Sequence, residues 1–340
     1  MNILLTGASG FAGAHMLQYL IENTSSRIYC PVTYTHGGHK ERIPALVEKT
    51  DLERVIIFEH DLATHPIENT GYFEGIDLII NFASESHVDR SIANPTEFAI
   101  NNINLMINLL EYARSRGSSC SFLHISTDEV YGALPKGEQN LEWIRPNLPS
   151  NPYSASKAAQ EAFAIAYFKT YKIPMAIINS TNMIGETQNQ EKFLPKAINR
   201  ILHDEEIQVD TDSKGKMGSR KYVYVQDVAS AVWLVAQKLQ SEIDEIVELD
   251  LPFKFHIAGI DEITNLQLIE ILAARLQKEA RIKIAESPRP GYDLRYELSV
   301  EKISTLGWKE KETIRKRIKE IVDWTIQHPE WLHIDHAAND

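Results

Sequence analysis

The stretch Leu4–Leu17, LLTGASGFAGAHML, decides how the rest of the chain is read. An apolar run ends in Gly7, Gly10 and Gly13, spaced Gly-x-x-Gly-x-x-Gly, and leads into a helical pattern of apolar residues. A strand, a glycine turn and a helix in that order bring unpaired helix N-terminal N–H groups up to a small anion. Glycine permits the tight turn and lets backbone come close to a pyrophosphate. The reading is a dinucleotide site at the first strand–helix junction.

Working outward, short β-branched runs alternate with longer helical patterns. RVIIFEH precedes DLIINFA and EFAINNINLMINLLEYAR; SFLHIST precedes SASKAAQEAFAIAYFKTY and MAIINS. That alternation predicts βαβ units and a parallel sheet covered by helices on both faces. Beyond about Glu186 the rhythm turns to helices with scattered strands, as in EKFLPKAINRIL, VQDVASAVWLVAQKL and TNLQLIEILAARL. The fold class read from this is α/β, a Rossmann-type doubly wound parallel sheet with a smaller C-terminal α/β substrate-binding lobe. The expected division is 1–185 for the dinucleotide-binding domain carrying the reactive residues and 186–340 for the smaller lobe, with room for the chain to cross between them near 220–260.

At 340 residues, 43% of them hydrophobic, the chain can fill a sizeable core. Lys plus Arg number 35 against 47 Asp plus Glu, a formal charge of −12, which argues against nucleic-acid or anionic-membrane partners. Any bound anion must therefore meet a local basic pocket. Cys30 and Cys120 lie far apart beside apolar runs, as packing residues of a reduced, cytoplasmic protein rather than a disulfide framework. The first strand begins at residue 2, leaving no room for a signal peptide, and no apolar run reaches the roughly 18 residues of a membrane span.

The second strand ends in IYCPVTYTHGGHKER, where an NAD site usually offers the ribose an acid. No acid appears before Glu41. His36, His39, Lys40 and Arg42 stand there instead, either as a solvated basic loop or as partners of a 2′-phosphate, so the cofactor is expected to be NAD(P)+ with a lean to NADP+. Asp61, after RVIIFEH, is placed to receive an adenine amino group.

NPYSASKAAQEAF sets Tyr153 and Lys157 four residues apart, on one face of a helix. Bringing a phenol from about 10 to about 7 takes roughly 4 kcal/mol. An ammonium about 4 Å away supplies about that much at an effective dielectric near 20. Lys157, helped by an oxidised nicotinamide, would then make Tyr153 a base for a substrate alcohol. In HISTDEVYG, His124–Gly132, an apolar run ends on Ser126, Thr127 and two adjacent carboxylates, Asp128 and Glu129. Neighbouring carboxylates in one site tend to hold one proton between them. Both can face one substrate only where the strand ends near Thr127 and the chain turns, because strand side chains alternate.

These motifs, with ASESHVDRSI, NMIGETQNQEKFLPKAI, SRKYVYVQDVASAV and RPGYDLRYELSVEKISTLGW in order, cover nearly the whole chain. They resemble the extended short-chain dehydrogenase/reductase superfamily, and within it the NDP-sugar 4,6-dehydratases, most of all the dTDP-glucose 4,6-dehydratases. The resemblance implies C4 oxidation with Tyr153 as base and Thr127 and Ser126 holding the oxygen. Glu129 would then take the C5 proton while Asp128 protonates the departing C6 hydroxyl, and hydride would return to C6 from a cofactor regenerated each turnover. It implies cofactor contacts from Phe11, Ala12 and Thr33 and from Leu62, Phe82, Ala83, Ser84 and Asn102. Arg220 and Arg289 would meet the diphosphate, Asn182, Lys192 and Phe193 the nucleotide end, and Ser86 and His87 the sugar. A homodimer through the long apolar helices is implied too.

MIGE follows Asn182 where the family carries an aromatic and Gly-Pro, and His256 replaces an asparagine usual near the base or ribose, so the base stays open. The rivals are a 4-epimerase or decarboxylase, which has no need of Asp128 and Glu129, and a 5,6-dehydratase. A non-catalytic NADP-sensing scaffold would have no reason to keep Tyr153, Lys157 and the Thr-Asp-Glu triplet. His328, His333 and His336 are irregularly spaced and read as a tail, not a metal site.

Overall fold

The computed structural model describes residues 1–35, 37–135, 137–290 and 293–333, with backbone alone at 49 and 50. His36 and His336 lie outside the described residues. Six strands alternate with crossovers: β1 Asn2–Thr6, β2 Arg27–Val32, β3 Val55–Glu59, β4 Leu78–Asn81, β5 Ser121–Thr127 and β6 Met175–Ser180. A seventh, Phe253–Ile257, closes the far edge beside β6. From that closing strand the order runs β6, β5, β4, β1, β2, β3, every neighbouring pair parallel.

β4, β5 and β6 are buried at every residue, as the unbroken apolar runs LIIN, SFLHIST and MAIINS require of strands covered on both faces. β3, at the other edge, alternates half-buried and exposed positions. The helix Phe11–Asn23 follows β1, Pro95–Arg116 lies between β4 and β5, and Pro152–Tyr171 between β5 and β6. The last two pack along one another.

Strand order reverses between β1 and β4, and the crevice at the carboxyl ends of these strands is where open α/β sheets take ligands. After residue 186 the chain builds a second apolar core from Leu194, Ile198, Ile207, Val209, Leu268, Leu272, Ile318 and Val322. Two parallel strands, Glu206–Thr211 and Arg281–Glu286, pair within that region. Between these pieces the chain returns to the main sheet: Val228, Val232 and Val235 of the helix Val225–Ser241, and Phe255 and Ile257 of the closing strand, belong to the first core. Among the described residues no helix is long and apolar enough to cross a membrane.

Candidate active site

The crevice encloses about 640 Å³, and its walls come from the ends of β1, β2, β4, β5 and β6. At the end of β1, Gly7 has φ 74°, and a Cβ there would lie 2.8 Å from Ala83 N of the neighbouring strand end. A Cβ on Gly13 would lie 2.1 Å from Gly7 O, so a side chain at either position would force helix and strand ends apart. Gly10, at the helix N-cap, carries no side-chain cap and no acid follows in the first turn. The N-terminal N–H groups thus open onto the crevice beside Phe11 and Ala12, a cradle fitted to a pyrophosphate.

Thr33, Asp61, Leu62, Phe82, Ala83 and Ser84 line the same cavity. Asp61 accepts from its own turn, Ala63 N at 2.9 Å and Thr64 Oγ1 at 2.8 Å. Asn102 does not line the crevice, against expectation. It is fully buried, its amide oxygen accepting from Glu85 N at 2.8 Å and its nitrogen donating to Ser156 Oγ at 2.9 Å, a brace between the loop after β4 and the Tyr153 helix.

The basic loop after β2 is not what its composition suggests. Arg42 is fully buried, donating to Ser9 O at 2.6 Å, Gly37 O at 2.7 Å, Thr187 O at 3.2 Å and Asn189 Oδ1 at 2.8 Å, with Trp331 stacked on it. Lys40 lies over the Tyr34 ring, and His39 packs on Trp331. The guanidinium that was to receive a 2′-phosphate is committed to tying the glycine turn to the 187–189 loop.

At the end of β5 the chain leaves the strand at Thr127 and makes a single 3-10 turn, Asp128–Tyr131, ending at Gly132 with φ 71°. Thr127 Oγ1 donates to Asp128 Oδ1 at 3.1 Å and accepts from Glu129 N at 3.3 Å, tying both residues of the turn to the strand end, although only Glu129 reaches the crevice wall. Asp128 is 2% exposed and its Oδ2 has no hydrogen-bond partner; Glu129 lines the crevice. Burial first, then the charge of Glu129, pushes the Asp128 carboxyl up to about 7. Burial also raises Glu129, opposed by the Arg220 guanidinium and by Asn151, whose amide donates to Glu129 Oε2 at 3.3 Å.

Asn151 also caps the helix Pro152–Tyr171, which brings Tyr153 and Lys157 to the crevice wall. Lys157 Nζ donates to Ile125 O at 2.8 Å. The expectation that this ammonium lowers the phenol is not met in the chain by itself: burial, then the charges of Glu129 and Asp128, push Tyr153 up, countered by a hydrogen bond with Thr127. Burial lowers Lys157 to about 7. Ser126 and Thr181 point orphaned buried hydroxyls, and Asn182 an orphaned amide oxygen, at the same wall.

Ser86 and Lys192 line the crevice, joined by a bond from Lys192 Nζ to Ser86 O at 3.1 Å. His87, Phe193, Arg220 and Arg289 are not in its wall. His87 accepts from Arg90 N as the cap of a short helix and faces Glu191 at 3.5 Å, and Phe193 packs on the second core. Arg289 forks onto Asp89 at 2.7 and 2.9 Å. Arg220 donates to the carbonyls of Ser219, Asp293 and Leu294, close enough that its charge lowers both Asp128 and Glu129. His256 is not in the crevice wall but buried against Tyr131, with Nε2 2.8 Å from the Tyr131 hydroxyl. Sequence reasoning missed Asn151, Asn179 and Glu161 around this turn. Glu161 follows Lys157 by four residues in YSASKAAQE, a spacing that puts it on the same helix face.

A family model described as the NAD dependent epimerase/dehydratase family matches residues 3–249. dTDP-glucose 4,6-dehydratase 1 of Escherichia coli (strain K12) is 32% identical over 358 residues, covering 98% of this chain and 94% of that protein. A trifunctional UDP-glucose 4,6-dehydratase of Arabidopsis thaliana, which also carries epimerase and reductase functions, is 32% identical over 97% of this chain, and the chain spans 48% of its length. The dTDP-glucose 4,6-dehydratase of Streptomyces venezuelae, solved with NAD and TYD bound, superposes with a TM-score of 0.82 at 28% identity over 97% of this chain and 98% of that one. On the match of the family model and the near full-length relatives, the chain belongs to the NAD dependent epimerase/dehydratase family.

Proposed function

We propose that this protein is an NAD-dependent nucleoside-diphosphate-hexose 4,6-dehydratase. The observation that carries the reading is the turn after β5, which sets buried Asp128, pushed up to about 7, next to half-buried Glu129, while Glu129 shares the crevice wall with Thr127, Tyr153 and Lys157. The relatives named above support the same reaction.

NAD, when bound, supplies the acceptor for the C4 hydride and later returns it to C6. Tyr153 takes the proton of the C4 hydroxyl while Thr127 and Ser126 hold that oxygen. Because burial and the carboxylates hold the phenol up, this step needs Lys157 cationic. Glu129 removes the C5 proton made acidic by the 4-ketone, and Asp128, protonated near neutrality, gives its proton to the C6 hydroxyl, which leaves as water. The Arg220 guanidinium opposes the rise that burial imposes on both carboxyls.

NAD rather than NADP follows from Arg42, whose donors are engaged inside the protein. The region from 186 onward, less the segment returning to the main sheet, is proposed as the substrate lobe, with Lys192 of the crevice wall facing the diphosphate. A homodimer is proposed across the paired helices, where Ile100 is 54% exposed and Ala155, Ala162 and Ala166 share an exposed face. Buried free thiols fit a cytoplasmic setting.

The test is incubation of the purified protein with dTDP-glucose and UDP-glucose. A product lighter by one water, without net cofactor reduction, supports the reading. An epimer of unchanged mass overturns it.

A further inference from the structure

Beyond the residues that line the crevice, Glu161 and Lys254 form an ion pair at 2.8 Å whose side chains are 0% and 2% exposed. Taking both charges out of water is costly, and well-packed apolar residues commonly serve stability as well or better. Stability gives no reason for the pair, so its connections matter. The second Glu161 oxygen accepts from Asn179 Nδ2 at 2.7 Å, and that same nitrogen donates to Thr127 O at 2.9 Å. Lys254 Nζ lies over the rings of Tyr131, 4.8 Å, and Trp143, 4.6 Å. Tyr131 ends the turn that carries Asp128 and Glu129 and is bonded by His256 of the same strand as Lys254. A charge on the Tyr153 helix is thereby joined, through β6 and the closing strand, to both ends of the turn.

Tyr153, Lys157 and Glu161 recur at four-residue spacing on one helix face. The charged and titratable groups around Lys157 are few. Glu161 and Tyr153 share its helix; His124 faces it from β5 and is held neutral by burial and by Lys157 itself. Asp128 and Glu129 stand on the turn and act on Tyr153, and Lys254 reaches in from the closing strand bound to Glu161. Against burial, Glu161 is the group that raises Lys157.

We infer that Glu161, with Lys254 balancing its charge, is a positioning residue for the dehydration proposed above: it fixes the Thr127 backbone through Asn179 and keeps Lys157 cationic. The inference rests on that functional reading.

Two measurements on the whole 340-residue chain test it. The first is the pH dependence of kcat in wild type, Glu161→Gln, Glu161→Asp and the double variant Glu161→Gln/Lys254→Met. Glutamine keeps an acceptor for Asn179 but not the charge. Loss of Lys157's proton sets the alkaline limb, so Glu161→Gln moves that limb about one pH unit lower, the scale of a neighbouring unit charge. At a pH above both limbs, a one-unit shift lowers the protonated fraction of Lys157, and with it kcat, about tenfold. Glu161→Asp retains the wild-type limb. The double variant removes the lone buried ammonium, folds, and keeps the shifted limb; where Glu161→Gln alone misfolds, it carries the test. A uniform loss of rate with the limb unmoved, or a double variant with the wild-type profile, overturns the inference.

The second is an NMR titration of Lys157 in carbon-13 lysine-labelled protein, assigned with Lys157→Arg, which reads the same shift without turnover. An unchanged Lys157 titration in both glutamine-bearing proteins overturns the inference even in an active enzyme. Failure of the wild type to dehydrate any nucleotide sugar overturns the functional reading instead, so the two failures are told apart.

Discussion

Asp128, proposed as the acid of the dehydration, is carried at the expense of stability. Its carboxyl rises from 3.8 to about 7 on burial, so the folded state prefers the proton and stability falls as pH climbs between those values. At about 1.4 kcal/mol per unit the cost above pH 7 is about 4 kcal/mol at most. Asp128→Asn therefore raises Tm more at pH 8 than at pH 5, measured by calorimetry. The same variant loses dehydration by about 10²–10⁴-fold while a 4-keto intermediate still forms, observed by rapid quench and mass spectrometry. That Glu129, Tyr153 and Lys157 share one crevice was legible because each stands in a short local motif. Arg42 was not: its four acceptors come from Ser9, Gly37, Thr187 and Asn189, spread over about 180 positions, and a basic loop reads as solvated until those partners fold onto it. Arg289, expected at a phosphate, meets Asp89 for the same reason.

Among the elements, β1, β4, β5 and β6 were readable as apolar runs, and the break at Thr127 from the alternation rule together with the following Tyr131-Gly132. The glycine turn was readable by spacing, and its tolerance is now explicit: Gly13→Ala drives a methyl to 2.1 Å from Gly7 O. That variant loses NAD affinity in calorimetric titration, whereas Gly215→Ala, in an open turn away from the crevice, leaves affinity unchanged. The Tyr153 helix begins with a reciprocal cap between Asn151 and Ser154, and Asn151 also donates to Glu129. Asn151→Ala costs about 1 kcal/mol of stability by denaturant titration. Asn151→Ser keeps most of that stability but lowers turnover, because the shorter side chain caps the helix without reaching the carboxylate. The closing strand FKFHI was harder to read, since two charged or polar residues in a strand suggest an edge facing water. Lys254 and His256 are inside because Glu161 and Tyr131, far away in sequence, wait for them.

Taken as a whole, the molecule interleaves its two cores: the chain leaves the sheet after β6, builds part of the second core, returns for the helix Val225–Ser241 and the closing strand, and leaves again. The sequence predicts a boundary at 185/186 and a crossing near 220–260; local pattern does not decide which core an apolar helix joins, because that depends on partners rather than periodicity. Association belongs to this scale too. The proposed homodimer elutes in light-scattering chromatography at twice the 38.6 kDa chain mass, and Ala162→Arg, placing a charge on the exposed face of the paired helices, returns it to the single-chain mass. The position of the closing strand carries a consequence for synthesis. Chains emerge from the ribosome N-terminus first. The cofactor cradle and every residue assigned to proton transfer are made by Lys157, but the strand that locks the turn arrives only at Phe253–Ile257. A nascent chain can thus form its dinucleotide cradle before the strand that holds its acid and base in register has been made.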